Sequence, residues 1–569
     1  MKPVAPEYTH YFSLKNLNDE IFHKSFSLIL VIVLTSVIVA LAESAQGVFA
    51  SGYAVGRVAN ALITALFTGI GLALIRFLLY SELLKKVYTF VLCLGSIVLA
   101  LTEVFCLVKF LTKMSASVIQ VILDTNNAGE INGFFGSYFD IEALIIILSF
   151  VFLGLSVFFF SERLYRLFAA HRKILAVFLI IVTGLSFHIT GKVGGRSASV
   201  PLIRFLDSTK YILKVRYQIE KMCADKTNRV EIVSDNSDVP YFVFVIGESE
   251  SRHFMSLYGC KYDSTPYFKE LEKTGNLFAF TDVIAPRSVT ALVMPYLLSF
   301  MSSVDDERDI MKYDPIVDVF NKADYQSFWL SNHEKITKDL SYSTYVSSRC
   351  DFAEFTAKSI QNLEYFSKLT LRDEVMLPPF ARFLEEKAPD RDKNLFVFQL
   401  MGSHILYKDR YPDSFAKFKE GDIDDFSSNR KKLVAEYLNS ILYSDHILHE
   451  IIKPFKDKEA ILVYVSDHGE EMWQGGFQGH APANLSAYMV EIPMTIWVSD
   501  KYKEKHPKTV AAVKNAINRP YMTDNLVHTL LDLAKIKTKQ YDPAKSIIND
   551  KFVEIPRIVN GIRYEDLRR

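Results

Sequence analysis

The residues Ser466-Asp467-His468-Gly469-Glu470 follow a short apolar run, Ile461–Val465, rich in β-branched side chains. The run predicts a buried strand. An acid and an imidazole at the carboxyl end of such a strand stand where α/β sheets present ligands and catalytic groups. Asp467 offers a hard oxygen and His468 a borderline nitrogen, a mixture suited to zinc or manganese. Taken alone, the pair is equally a turn-capping Asp beside a surface His. Two more stretches change the weighting. Tyr241–Ser251 reads Tyr-Phe-Val-Phe-Val-Ile-Gly-Glu-Ser-Glu-Ser, and Asn394–His404 reads Asn-Leu-Phe-Val-Phe-Gln-Leu-Met-Gly-Ser-His. Each is an apolar run ending in Gly beside an acid or a His. Parallel strands in one sheet would bring all three ends to a single crevice.

A hydroxyl lies between the first two of these runs. Ala285–Pro295 carries Ser288 and Thr290 at a turn that enters a helix. A hydroxyl there could act as a nucleophile, since a helix N-terminus favours developing negative charge. By residue type alone, either is as readily an N-cap.

The elements that must position these groups differ along the chain. At 569 residues the chain exceeds one domain. Lys and Arg together number 65 and so do Asp and Glu, and no basic stripe or base-stacking module points to nucleic acid. Five apolar segments stand out, near Phe26–Ala42, Ala59–Tyr80, Val87–Leu111, Ile141–Phe160 and Ile174–Thr190. Each is about the ~17–25 residues that cross a bilayer. The first lacks a small-residue cleavage site, so it predicts an anchor and not a removed signal peptide. Lys2, Lys15, Lys24, Lys85, Lys86, Arg163, Arg166, Arg172 and Lys173 flank alternate ends, which predicts a cytoplasmic N-terminus and an external C-terminal region. Gly191–Arg196 lacks phosphate-loop spacing and reads as a linker. Pro201–Met222 interleaves apolar and basic residues, as in an amphipathic helix on a membrane. Asn228–Val239 is polar and reads as a boundary. From there the alternation of strand-like runs (Tyr241–Ile246, Ser327–Leu330, Leu395–Leu400, Ile461–Val465, Met494–Val498) with helical stretches such as Lys431–Ile451 predicts an α/β domain with a mainly parallel sheet. The expected division is residues 1–190 as a five-helix transmembrane domain, 191–237 as linker and bridging helix, and 238–569 as the catalytic domain. The five cysteines predict no disulfide framework, with a single Cys260–Cys350 bridge left open.

In combination, Gly247-Glu248-Ser249, Thr290 with Pro295 five residues on, Gly402-Ser403-His404, Ser466–Glu470 and His480 closely resemble the phosphoethanolamine transferases. These are inner-membrane enzymes of Gram-negative bacteria with five transmembrane helices and a periplasmic domain of the sulfatase and alkaline phosphatase fold. The resemblance implies Thr290 as nucleophile. It implies Glu248, Asp467, His468 and the Thr290 oxygen as zinc ligands, and His404 and His480 as histidines handling the phosphate. Asn332 and Lys335 stand where the family places polar groups near the substrate. Thr125, Asn126 and Glu130, in the long loop Thr112–Asp140, stand near its head-group residues. The Thr125–Glu130 spacing is one residue longer than the family's. Arg410-Tyr411-Pro412 also matches the family pattern.

The resemblance implies transfer of phosphoethanolamine from phosphatidylethanolamine to a lipopolysaccharide core or lipid A acceptor through a covalent Thr intermediate. The Gly-Glu-Ser form is similar to the branch that modifies the lipopolysaccharide core. Pro286 and Tyr296 replace the cysteines that flank the nucleophile in lipid A members. Other readings are a phosphoglycerol transferase acting on phosphatidylglycerol, transfer to a periplasmic glucan, a simple hydrolase, and a catalytically dead scaffold. The Thr290–Pro295 spacing and Gly402-Ser403-His404 favour the ethanolamine class over the phosphoglycerol one. The apolar segments disfavour a hydrolase, and the complete set Glu248, Thr290, Asp467 and His468 disfavours a scaffold.

Overall fold

The computed structural model describes residues 19–45, 54–110, 114, 119, 139–171, 177, 200–305, 310, 312–334, 341–357, 372–424, 426–474, 478–480 and 485–568. Two compact units emerge, one of N-terminal helices up to Leu213 and one from Lys214 onward.

In the first unit, α1 (Phe26–Ala45), α2 (Ala54–Leu78), α3 (Glu82–Phe110) and α4 (Ile141–Ala170) precede the start of α5 (Pro201–Ala224). The first four are long and apolar enough to cross a membrane. The fifth expected span, Ile174–Thr190, lies outside the described residues, apart from Val177. Val39, Ala100, Val104, Leu107 and Phe150 pack α1, α3 and α4 together. The large side chains Phe152, Phe158 and Phe159 of α4 point outward, as a lipid-facing helix surface requires. Charged groups in this unit are buried in pairs: Arg76 holds Glu20 at 2.6 Å, and Arg204 of α5 pairs with Glu103 of α3.

The second unit is built on a seven-stranded sheet. Its strands are β1 (Tyr241–Gly247), β2 (Leu277–Ala279), β3 (Gln326–Glu334), β4 (Phe352–Ala357), β5 (Asn394–Gln399), β6 (Ala460–Ser466) and β7 (Met494–Val498). They lie in the order β2-β7-β6-β1-β5-β3-β4. The strand β1 sits between β5 and β6, parallel to both. Its register pairs Ile246 with Gln399 and Gly247 with Ser466. The three motif-bearing strands are thus immediate neighbours and end at one level. Side chains alternate between two cores: Phe242, Phe244 and Ile246 face one, Val243 and Val245 the other. Both faces are covered, which explains the uninterrupted apolar runs.

The sheet is mainly parallel, as expected, and Met494–Val498 is a strand that runs antiparallel to β6 at one edge. One expectation needs correction. Asn228–Val239, read as a boundary, contributes a strand, Ile232–Asp235, which pairs with Ile536–Thr538. Along it Ile232 and Ser234 are half-buried, while Val233 and Asp235 are exposed. All five cysteines are thiols, so Cys260 and Cys350 are not joined.

Candidate active site

Glu248 follows β1 directly, and Asp467 and His468 follow β6; all three are buried. The backbone locks these loops together. Asp467 Oδ1 accepts from the amides of Ser249 (3.1 Å) and His468 (2.6 Å), and the Asp467 amide donates to the Gly247 carbonyl at 3.0 Å. The helix α6 (Thr290–Leu298) opens beside them. Neither Ser288 nor Thr290 is its N-cap: Val289 holds that position and makes no side-chain cap bond. As the first helical residue, Thr290 keeps its hydroxyl for the cluster. Its Oγ1 donates to Glu248 Oε2 at 3.0 Å and lies 3.3 Å from His468 Nε2. Ser288 Oγ is buried without a hydrogen-bond partner among the described residues. Ser249, at φ 59°, turns its hydroxyl onto Glu248 Oε1 at 2.7 Å.

The donor set fits a divalent ion. One oxygen of each of Glu248 and Asp467 and one His468 nitrogen lie within 4.8 Å of one another. Asp467 Oδ2 is buried without a hydrogen-bond partner among the described residues, which a buried carboxylate oxygen avoids unless a cation meets it. His468 Nδ1 bonds the Gly469 carbonyl at 2.8 Å. A carbonyl can only accept, so Nδ1 carries the proton and the Nε2 lone pair faces the carboxylates. Burial, and then the neighbouring Asp467, hold the Glu248 carboxyl well above the usual range, a charge crowding that a cation relieves.

His480 and His404 flank this cluster. The His480 ring lies 4.2 Å from that of His468, and its Nδ1 bonds Glu470 Oε2 at 2.7 Å. Glu470 Oε1 accepts from the Tyr407 hydroxyl at 2.8 Å, which itself accepts from Gln478 Nε2 at 3.0 Å. Arg410 explains the Arg-Tyr-Pro match: it donates to the carbonyls of His404 (3.1 Å) and Ile405 (2.8 Å) and lies 3.4 Å from His404 Nδ1. Burial first, then the Arg410 charge, push the His404 imidazole well below its ordinary pKa, so it is neutral.

Asn332 lies on β3. Its side chain is buried, donates to Asp373 Oδ1 at 3.0 Å and accepts from Thr356 at 2.9 Å. Asp373 in turn accepts from the amides of Met401 (2.8 Å) and Gly402 (2.9 Å). Asn332 therefore supports the loop that carries His404. Lys335, Thr125, Asn126 and Glu130 lie outside the described residues. Two motif glycines have steric reasons. Gly402 has φ +47°, and a Cβ on it would meet the Glu248 carbonyl at 2.9 Å; a Cβ on Gly469 would stand 2.3 Å from the Tyr488 carbonyl. Sequence reading assigned no role to Glu470, Tyr407 or Asp373. Glu470 was signalled by its place two residues after His468, whereas nothing local marks Asp373.

A sulfatase family model matches residues 240–536, spanning this sheet and all the clustered groups. The chain belongs to the sulfatase family and, within it, to the group of the phosphoethanolamine transferases. It is 32% identical over 330 residues to phosphoethanolamine transferase EptC of Escherichia coli K12, covering 56% of this chain and 55% of that protein. It is 30% identical over 329 residues to phosphoethanolamine transferase CptA of Salmonella typhimurium, again 56% of this chain and 55% of that one. The matched stretch thus spans about half the length of these curated relatives. The crystal structure of the C-terminal periplasmic domain of E. coli EptC, a complex with zinc, superposes with a TM-score of 0.54 at 30% identity, covering 60% of this chain and 96% of that one. The integral membrane lipooligosaccharide phosphoethanolamine transferase A of Neisseria meningitidis shares the fold, with a TM-score of 0.62 at 19% identity over 92% of this chain and 97% of that one. Four of the described helices are long and apolar enough to cross a membrane, and the sulfatase-like domain that follows them is similar to the periplasmic domain of E. coli EptC.

Proposed function

We propose that the protein transfers phosphoethanolamine from phosphatidylethanolamine to a lipopolysaccharide acceptor, core or lipid A, with Thr290 carrying the group between them. The observation that carries this reading is the placement of Thr290 Oγ1, at the N-terminus of α6 and within 3.3 Å of both Glu248 and His468. The names of the relatives support the transferred group.

In the first step the Thr290 oxygen attacks the phosphorus. The bond from phosphorus to the diacylglycerol oxygen breaks, and diacylglycerol leaves with a proton. In the second step an acceptor oxygen attacks the phosphoryl–Thr290 ester and Thr290 is restored. Glu248 accepts the Thr290 hydroxyl hydrogen bond and orients the oxygen. His480, held by Glu470 through Nδ1, presents Nε2 to the cluster; it carries the Thr290 proton to the leaving diacylglycerol oxygen and, in the second step, the acceptor's proton back to the Thr290 oxygen. His404, neutral by burial and held by Arg410, offers a ring nitrogen for hydrogen bonding to the phosphoryl group. Glu248, Asp467 and His468, with Thr290 beside them, would hold zinc. When bound, the ion supplies Lewis-acid stabilisation of charge on the phosphoryl oxygens and makes a neighbouring hydroxyl easier to ionise.

The test is direct. Full-length protein incubated with phosphatidylethanolamine and no acceptor is digested and its peptides weighed. A phosphoethanolamine adduct is expected on the peptide containing Thr290 and is expected to be absent from Thr290→Ala. An adduct elsewhere, or full transfer by Thr290→Ala, overturns the reading. Comparing lipopolysaccharide fragments from cells with and without the protein then identifies the acceptor.

A further inference from the structure

The stretch Ala487–Ile492 touches both halves of the site. On one side the Met489 carbonyl accepts from the Gly469 amide at 2.7 Å, directly after His468. On the other, the Val490 carbonyl accepts from the Ala285 amide at 2.8 Å, and the Ile492 amide donates to the Val283 carbonyl at 3.3 Å. Val283–Ala285 leads into the turn that presents Thr290. Glu491 is the buried charge at the centre of this stretch. Its Oε2 meets His253 Nε2 and, at 3.2 Å, Arg252 Nη2; its Oε1 meets the Tyr564 hydroxyl and, at 2.9 Å, Arg568 Nε. Arg252, four residues after Glu248, also donates from Nη1 to the Thr281 carbonyl at 2.8 Å and from its amide to the Glu491 carbonyl at 3.2 Å.

The Glu491 carboxylate therefore joins the chain after Glu248 to the Tyr564–Arg568 segment, while the backbone on either side of it bonds the strand before Thr290 and the loop after His468. A buried carboxylate with both oxygens occupied is fixed in place, because losing any partner leaves charge unpaired. We propose that Glu491 is a positioning residue for the transfer reaction. It holds Thr290 in register with Asp467 and His468, and Tyr564 and Arg568 complete its shell. The proposal rests on the reading of Thr290 as the group that takes phosphoethanolamine. Glu491 acts through the backbone bonds at Gly469 and Ala285.

The test uses full-length protein and phosphatidylethanolamine in mixed micelles, with two readouts: the rate of adduct formation on Thr290 as the lipid is varied, and hydrogen exchange at the Gly469 and Ala285 amides. For Glu491→Gln the maximal rate is expected to fall about tenfold or more, the scale of a small misplacement of reacting groups. The half-saturating lipid concentration is expected to stay unchanged, and both amides to exchange faster together. Tyr564→Phe removes one oxygen from the shell; it should show the same pattern more weakly, and it serves if Glu491→Gln does not fold. A wild-type maximal rate in Tyr564→Phe, a loss confined to lipid affinity, or unchanged exchange at either amide overturns the proposal. A wild-type protein that forms no adduct sinks the Thr290 reading by itself, and the coupled exchange then still decides whether Glu491 ties the two segments.

Discussion

Glu470 accepts a 2.7 Å hydrogen bond from Nδ1 of His480, ten residues further along the chain. A carboxylate beside an imidazole fixes its tautomer and its plane. Because Nδ1 carries the proton toward Glu470, Nε2 is the nitrogen left for substrate.

Glu470→Gln is therefore expected to lower turnover by about 10- to 100-fold, the usual cost of losing such a partner. Tyr407→Phe removes the hydroxyl bonded to the other Glu470 oxygen and is expected to cost less. Steady-state kinetics of the two variants, beside His480→Ala as the limit, check this. Glu470→Gln at wild-type turnover would show that His480 needs no such orientation.

Metal removal should abolish transfer. Among the described residues Asp467 Oδ2 lacks a hydrogen-bond partner in a buried site, and Glu248 and His468 Nε2 lie beside it. Chelation of the purified full-length protein is expected to stop transfer, and added zinc to restore it. Glu248→Ala and Asp467→Ala are expected to retain less metal than wild type by elemental analysis. Full transfer after complete chelation would refute the zinc assignment.

Much of this arrangement was legible in the sequence, for physical reasons that differ by residue. The strands β1, β5 and β6 are buried on both faces, so their apolar runs are unbroken and their polar ends are abrupt. Glu248, Asp467 and His468 were therefore placed by the strands themselves. The role of Asn332 was not legible. Its partner Asp373 is 41 residues away, and neither stands in an apolar run that would announce it. The reversal of β7 was hidden as well, because a buried strand has the same composition in either direction. Glu491 carries no motif, and its four partners converge only through tertiary folding.

Asn332 thus gives a prediction opposite to that for a substrate-binding residue. Asn332→Ala leaves Asp373 with one fewer donor in a buried position. The expected effect is about 1–3 kcal/mol of lost stability, with the half-saturating lipid concentration unchanged. Unfolding and lipid-dependence measurements on the same preparation separate the two. A raised half-saturation with unchanged stability would return Asn332 to the substrate.

Glu491 also governs acid stability. Burial alone would raise its pKa. Hydrogen bonds from His253 and Tyr564 and the charge of Arg252 outweigh this and hold it at about 2, against 4.5 for an unperturbed Glu. A carboxyl whose folded pKa is depressed stabilises the fold fully above its unfolded pKa and loses that contribution as pH falls toward the folded value. The window here runs from about pH 5 down to about pH 2, and the difference corresponds to on the order of 3 kcal/mol. Glu491→Gln cannot ionise and lacks this term at every pH. Trp329 and Trp497 are both buried in the main sheet, so urea unfolding of the full-length protein can be followed by fluorescence. The stability gap between wild type and Glu491→Gln is expected to shrink by about 2 kcal/mol between pH 6 and pH 3. Other carboxyls titrate in both proteins and cancel in the comparison. A gap that stays constant across that range would mean that the His253, Arg252, Tyr564 and Arg568 shell does not hold Glu491 ionised.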